Sequence, residues 1–276
     1  MLIEFADFDW SLTNRELVIF IPNWGRGNYI RSTIAAMETS VPRDRWIIIV
    51  GNDCQHEDLS DLENQNVVFF TFDPDRNRPQ DRGGGFIRNM VIKRSQSRWF
   101  FQRDPEIIIQ NDFIAHILEC GTEMYRLGGP ARKTRKDTAE RFLQGQATVA
   151  ECRDDADVFQ IDPQHFVYAN FAFAVLTETL QEIRGFDEDY GQTYCYDRDL
   201  FVRLVNKGVK ITSDPECTPI HLWHDTPSFP NTPETIADYD MMKEMFASKN
   251  PRHVVRNQQG WGEGDKIVHE TKGQES

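Results

Sequence analysis

The sequence predicts an α/β protein, with parallel strand–helix–strand units stacked in layers. Three observations carry this. Short apolar runs recur at Leu17 to Ile21, Trp46 to Val50 and Val67 to Phe72, a length that suits buried strands and is too short for core helices. Segments with apolar residues at helical spacing stand between them. Turn-forming or polar residues close the runs, namely Pro22-Asn23, Gly51-Asn52-Asp53 and, after the aromatic run Trp99-Phe100-Phe101, Asp104. In such sheets ligands bind at the carboxyl ends of the strands, where these closing residues would gather.

Taken in order, Leu17 to Ile21 is the first buried strand. Residues 28 to 40 place Ile30, Ile34 and Met37 on one helical face. Trp46 to Val50 and Val67 to Phe72 make the second and third strands. Residues 85 to 96 follow as a helix, and a fourth strand starts at Trp99. The segment RLGGPARKTRKDTAER, residues 126 to 141, holds six basic residues in sixteen with little apolar periodicity. It predicts a mobile loop extending to about residue 156. Phe166 to Leu176 alternates like a strand, and residues 197 to 206 and 233 to 248 read as helices. From about residue 250 the chain turns polar and Gly-rich, which predicts a poorly packed tail over 251–276.

Composition narrows the function. With 31 Lys+Arg against 44 Asp+Glu the formal net charge is -13 over 276 residues, which argues against a general binder of nucleic acid or anionic membrane. No apolar stretch approaches the roughly 18 residues that span a bilayer. The acidic start, MLIEFADFDW, lacks the basic and apolar regions of a signal peptide. The five cysteines are widely spaced with no CxxC pair, so a disulfide framework is not expected and a reducing cytoplasm is.

Four constellations carry chemistry. Asp104-Pro105-Glu106 sets two carboxylates at a strand end, a hard oxygen pair suited to Mg²⁺ or Mn²⁺, although an isolated DxE is more often two solvated acids. His221-Leu-Trp-His224 offers two imidazoles to a borderline metal, or two ordinary surface histidines. Tyr196-Asp197-Arg198-Asp199-Leu200 opens a helix, where the acids either cap the positive end or supply a general base. Gly83-Gly-Gly85 before Arg88-Asn89 has no Walker or GxGxxG pattern, and ordinary turn glycines account for it. Without HExxH, zinc-spaced Cys/His or GxSxG, a zinc hydrolase and a serine hydrolase are disfavoured.

In order and spacing these segments resemble the inverting, nucleotide-sugar-dependent glycosyltransferases of family 2, from about residue 17 to 225. Phe20-Ile-Pro-Asn-Trp-Gly-Arg26 resembles the family's opening strand and turn. Ile47-Ile-Ile-Val-Gly-Asn-Asp53 resembles its second strand, and Gly85-Phe-Ile-Arg-Asn89 its "ARN" helix start. Phe101-Gln-Arg-Asp-Pro-Glu106 resembles the DxD motif. Ile183-Arg-Gly-Phe-Asp-Glu188 is similar to "GGFDE", Asp197-Arg-Asp-Leu200 to "EDxDL", and His221 to His224 to the late histidine element.

The resemblance implies a GT-A fold: a three-layer α/β/α single domain over 1–250, with a Rossmann-like donor half (about 15–110), a mixed central sheet and an acceptor half (about 111–230). It implies a nucleotide-sugar donor, in particular a UDP-sugar, and a saccharide or glycoconjugate acceptor. Mn²⁺ or Mg²⁺ would be held by Asp104, Glu106, His221 and His224. Pro22, Asn23, Trp24, Arg26, Asn52, Asp53, Arg88 and Asp104 would surround the donor, and Phe186, Asp187 and Glu188 the acceptor. Asp197 would be the base. Two departures matter: Gly51 and Asn52 stand where the family has two aspartates, and Tyr196 replaces the Glu before Asp197, which leaves the base open between Asp197 and Asp199. Competing expectations are transfer to a modified base in DNA, a catalytically silent nucleotide-sugar-binding relative, and a metal-dependent nucleotidyltransferase or phosphohydrolase. The last leaves the GFDE and DRDL segments unexplained. Peripheral membrane attachment and quaternary state are left open.

Overall fold

The structure is a computed structural model, and it describes residues 5–52, 57–71, 84–127, 132–158, 172–190, 196–225, 233–249, 253–257 and 261–262. In chain order the elements are β1 (Leu17–Asn23), α1 (Gly27–Ala35), β2 (Trp46–Asn52), β3 (Val67–Thr71), α2 (Gly84–Arg94), β4 (Trp99–Arg103), β5 (Ile107–Ile109) and α3 (Phe113–Glu119). Then come β6 (Met124–Leu127), β7 (Arg132–Lys133), α4 (Lys136–Leu143), α5 (Val149–Asp155), β8 (Asp157–Val158), β9 (Ala172–Leu176) and α6 (Thr177–Glu182). α7 (Tyr196–Lys207), β10 (Ile211–Asp214), β11 (Pro219–His221) and α8 (Pro233–Ser248) complete them.

Seven strands form the central sheet in the order β10-β6-β9-β4-β1-β2-β3. The β4-β1-β2-β3 half is parallel, and β9 runs antiparallel to both β4 and β6, so the sheet is mixed. Period-2 alternation along β1 gives each face its own core. Leu17, Ile19 and Ile21 face a cluster with Ile30 and Ile34 of α1 and Phe113 and Ile117 of α3. Val18 and Phe20 face Ile87 and Val91 of α2, Leu180 of α6 and Leu200 and Leu204 of α7. Those two helical layers on one sheet are the expected three-layer architecture.

Four short strands form a second sheet, β5-β11-β7-β8, which the sequence reading did not anticipate. Three-residue strands such as Ile107–Ile109 give too little periodicity to be read alone. The segment expected as a mobile loop is largely built into structure: β7, α4, α5 and β8 cover most of 132–158, while 128–131 lie outside the described residues. Its apolar stripe consists of small or isolated residues, Thr138, Ala139, Phe142 and Cys152, and a capping box joins Thr148 to Glu151. The described parts of the tail are also packed. Val254 and Trp261 lie against the second core, and Asn257 Nδ2 donates to the carbonyls of Arg184 and Phe186 at 2.8 and 2.6 Å. Among the described residues no helix is long and apolar enough to cross a membrane.

Candidate active site

The chain leaves the central sheet at the end of β4 and enters the second sheet at β5. Asp104-Pro105-Glu106 is the turn between them, closed by Ile107 N on the Asp104 carbonyl at 3.3 Å. Thr33 of α1 donates to the Pro105 carbonyl at 3.0 Å. Antiparallel pairing of β5 with β11 sets Ile107 opposite His221, and Leu222 N donates to the Glu106 carbonyl at 2.9 Å. Two sheets thus bring together an acidic turn and a histidine strand more than 100 residues apart in sequence.

Glu106 is the centre of the arrangement. Its Oε1 lies 3.0 Å from His224 Nε2, 3.6 Å from His221 Nε2 and 2.6 Å from Arg26 Nη1. Its Oε2 is buried and has no hydrogen-bond partner among the described residues. Each imidazole sets Nδ1 2.8 Å from a backbone carbonyl, Leu222 for His221 and Asp225 for His224. For His221 the carbonyl can only accept, so Nδ1 carries the proton and the Nε2 lone pair turns toward the carboxylate, whereas His224 Nε2 donates to Glu106 and its Nδ1 also lies 3.3 Å from Arg26 Nη2. Burial lowers His221 to about 4, keeping that ring neutral at ordinary pH. Burial works to raise the Glu106 carboxyl, but the His224 hydrogen bond and the nearby Arg26 charge outweigh it and hold Glu106 ionised. Two imidazole nitrogens and a half-satisfied carboxylate converging on one point are a donor set that fits a divalent cation in place of the proton between His224 and Glu106, and the three ligand atoms lie within 4.8 Å of one another. Beneath them Arg103 is fully buried, bonded to Thr33, with Nε and Nη1 unpartnered among the described residues.

Asp104 is not in that group of three. It meets Arg88 Nη2 at 3.1 Å, and burial, opposed by Arg88, raises its carboxyl to about 6. Arg88 is buried on α2 between the rings of Phe186 and Tyr196, 5.7 and 5.4 Å from their centroids, and also donates to Gln102 of β4. Gln102 in turn bonds to Asp197 at the start of α7. Asp197 is half-buried, but its Oδ1 is shut off from solvent and has no partner among the described residues. Burial raises this carboxyl to about 8 against the pull of Arg88. Asp104 and Asp197 therefore share one buried arginine. Gln102 was missed by sequence reasoning; its signal is a polar residue inside an aromatic strand of the core.

The strand ends of β1 and β2 lie side by side, Asn23 opposite Asn52. Asn23 Nδ2 donates to Asn52 Oδ1 at 2.7 Å and to Glu57 Oε2 at 2.6 Å. Glu57 also accepts from Gly27 N at 2.9 Å, capping α1. Glu57 is a second missed residue: nothing in the polar run around it marks it. Trp24 is 52% exposed beside this patch, Pro22 lies within β1, and Asp53 lies outside the described residues.

The remaining candidates are engaged elsewhere. Asp199 is buried against Arg203 at 2.6 Å and Arg256 at 3.4 Å, away from Asp197's partners. Asp187 is buried against Lys249 and Arg256, and Phe186 lies in the core. Glu188 accepts from Asn89 at 2.8 Å and from Gly262 N at 2.9 Å. The Arg-Gly-Phe-Asp-Glu turn is held by Asn89, which bonds both the Phe186 N–H and its carbonyl at 2.7 Å. These contacts hold the conformation of the turn that carries Phe186, Asp187 and Glu188.

No protein-family model and no curated protein sequence matches the chain. Solved structures do. S. aureus TarS, residues 1–349 with UDP-GlcNAc, is similar with a TM-score of 0.58 at 13% identity, over 87% of this chain and 69% of that one. GalNAc-T7 with UDP, GalNAc and Mn²⁺ is similar at 0.52 and 13% identity, over 85% and 51%. The Pyrobaculum calidifontis mannosyltransferase PcManGT, with GDP-Man and Mn²⁺, is similar at 0.51 and 12%, over 76% and 58%. The chain has the GT-A fold of these glycosyltransferases, with its mixed seven-stranded sheet.

Proposed function

We propose that the protein is a metal-dependent, inverting glycosyltransferase that moves a sugar from a nucleoside-diphosphate sugar, a UDP-sugar foremost, to a hydroxyl of a saccharide or glycoconjugate acceptor. The observation that carries the reading is the convergence of Glu106, His221 and His224, beside Asp104 and Asp197, at the carboxyl end of a GT-A sheet. The similar structures bind UDP, UDP-GlcNAc or GDP-Man, two of them with Mn²⁺. The order of the sequence motifs supports a family 2 enzyme, with residues 15–110 as donor half and 111–230 as acceptor half.

In this reading Glu106, His221 and His224, with Asp104, would hold Mn²⁺ or Mg²⁺. A bound cation would supply Lewis-acid neutralisation of the charge on the departing nucleoside diphosphate. Asn23 and Asn52 line the donor cleft with Trp24, and Arg26, bonded to Glu106 at the same end of the sheet, supplies a positive charge for the diphosphate. Arg88 fixes Asp104 and sets the charge around Asp197. In its ionised form, whose share grows as pH climbs toward 8, Asp197 accepts the acceptor's hydroxyl proton on an Oδ1 that has no partner among the described residues, as the acceptor oxygen attacks the anomeric carbon from the face opposite the leaving group. Asp199, held by two arginines, is not carried forward as a base.

The test is calorimetric binding of UDP with and without Mn²⁺, followed by turnover of two variants. Asp197→Asn is expected to keep donor binding and lose about 10²- to 10⁴-fold in turnover. Near-normal turnover in Asp197→Asn, with loss in Asp199→Asn, would reverse the assignment.

A further inference from the structure

A second cluster of ligating side chains lies outside this site, at the edge of the central sheet where β10 pairs with β6. His116 comes from α3, Asp214 ends β10, and Cys217 sits in the turn that leads to β11. One ligand atom from each lies within 4.8 Å of the other two. His116 Nδ1 is 2.5 Å from Asp214 Oδ2 and 3.5 Å from Cys217 Sγ. Tyr125 donates its hydroxyl to the same Asp214 oxygen at 2.7 Å, and Glu216 N holds the other at 2.8 Å. A cleft of about 480 Å³ opens onto the group, lined by His116, Cys120, Tyr125, Asp214 and Glu216 among others. The His116 side chain is 32% exposed, while Cys217 is fully buried.

A nucleophilic Cys–His–Asp arrangement needs the thiol and the acid on opposite nitrogens of the ring. Here both meet Nδ1, and the sulfur faces no solvent, so that chemistry is excluded. A cation site makes the opposite demand, for mixed donors converging on one point with one open side. Tetrahedral Zn²⁺, with bonds of about 2.0–2.1 Å to nitrogen and 2.3 Å to sulfur, sets those atoms about 3.5 Å apart. The His116–Cys217 separation is 3.5 Å. The His116–Asp214 pair, at 2.5 Å, is closer than a shared cation allows by roughly 0.8 Å. That contact is a hydrogen bond whose proton a cation would replace. Tyr125 and the Glu216 amide already orient the carboxylate from behind, as outer groups do around metal ligands.

We propose that His116, Asp214 and Cys217 bind a thiophilic divalent cation of the Zn²⁺ class, with water from the cleft as the fourth ligand. Binding releases the proton shared by His116 and Asp214 and the thiol proton of Cys217. The bound ion ties α3 to β10 and to the turn just before β11, the strand that carries His221, so its role is structural bracing.

The test uses the full chain, stripped with a chelator and titrated with Co²⁺ alone. The expected result is a thiolate-to-cobalt charge-transfer band that Zn²⁺ abolishes, and that Glu106→Gln retains because the Glu106 cluster holds no sulfur. Cys217→Ser should remove the band. His116→Ala should weaken the cobalt affinity read from the band at least tenfold, which guards against a misfolded serine variant. No band in the wild type, a band unchanged in Cys217→Ser, or unchanged affinity in His116→Ala would each overturn the proposal.

Discussion

Asp197 ties stability to pH with a sign that can be checked. Its carboxyl is raised from the ordinary value of 3.8 to about 8, chiefly by burial. Between those two pH values the folded chain keeps a proton that the unfolded chain has lost. The contribution is fully present below about pH 4 and disappears as pH climbs through 8. At about 1.4 kcal/mol per pH unit the whole displacement bounds the effect at roughly 5–6 kcal/mol. Because the residue is only half-buried, about half of that is expected, or several degrees in Tm for a chain of this size. The assay is thermal unfolding of wild type and Asp197→Asn from pH 5 to 9. The amide cannot ionise, so the variant should gain on the wild type from pH 5 to about 8 and level off above it. The difference between the two curves removes pH effects common to both. Parallel curves would refute the burial argument.

Other expectations follow from the same geometry. Glu106→Gln removes the only carboxylate of the three converging ligands and should weaken Mn²⁺ binding at least about 100-fold by calorimetry, without loss of fold. Gly185 has φ +60° and a Cβ there would stand 2.0 Å from Asn89 Oδ1, so Gly185→Ala should cost about 2–4 kcal/mol in urea unfolding. Asp199→Asn leaves the buried Arg203 charge poorly paired and should cost about 3 kcal/mol in the same assay, with donor affinity unchanged. If it instead weakened the donor at unaltered stability, the packing role given to Asp199 would be wrong.

The parallel half of the fold was legible because its strands are buried on both faces and therefore read as unbroken apolar runs, Ile47 to Val50 above all. The second sheet was not, since strands of two or three residues such as Arg132–Lys133 take their place from partners distant in sequence. The basic segment read as a loop because Thr138, Ala139 and Phe142 make a thin apolar stripe. Within the site, Glu106, His221 and His224 were identifiable from motif spacing, and the structure brings them together. Asp197 and Asp199 could not be told apart in sequence. The difference lies in Arg203, one helical turn on, and in Arg256 from the tail, which claim Asp199 and leave Asp197 to Gln102. Glu57 and Gln102 hold their neighbours through side-chain hydrogen bonds that no local pattern encodes.

The central claim is that Glu106, His221 and His224 make this GT-A chain a metal-dependent sugar transferase. The direct measurement is release of nucleoside diphosphate from a panel of UDP- and GDP-sugars with Mn²⁺, repeated with EDTA and with Glu106→Gln. The account predicts release from at least one donor, abolished by EDTA and by the substitution. No metal-dependent release from any donor, with no thermal shift on adding one, would contradict it.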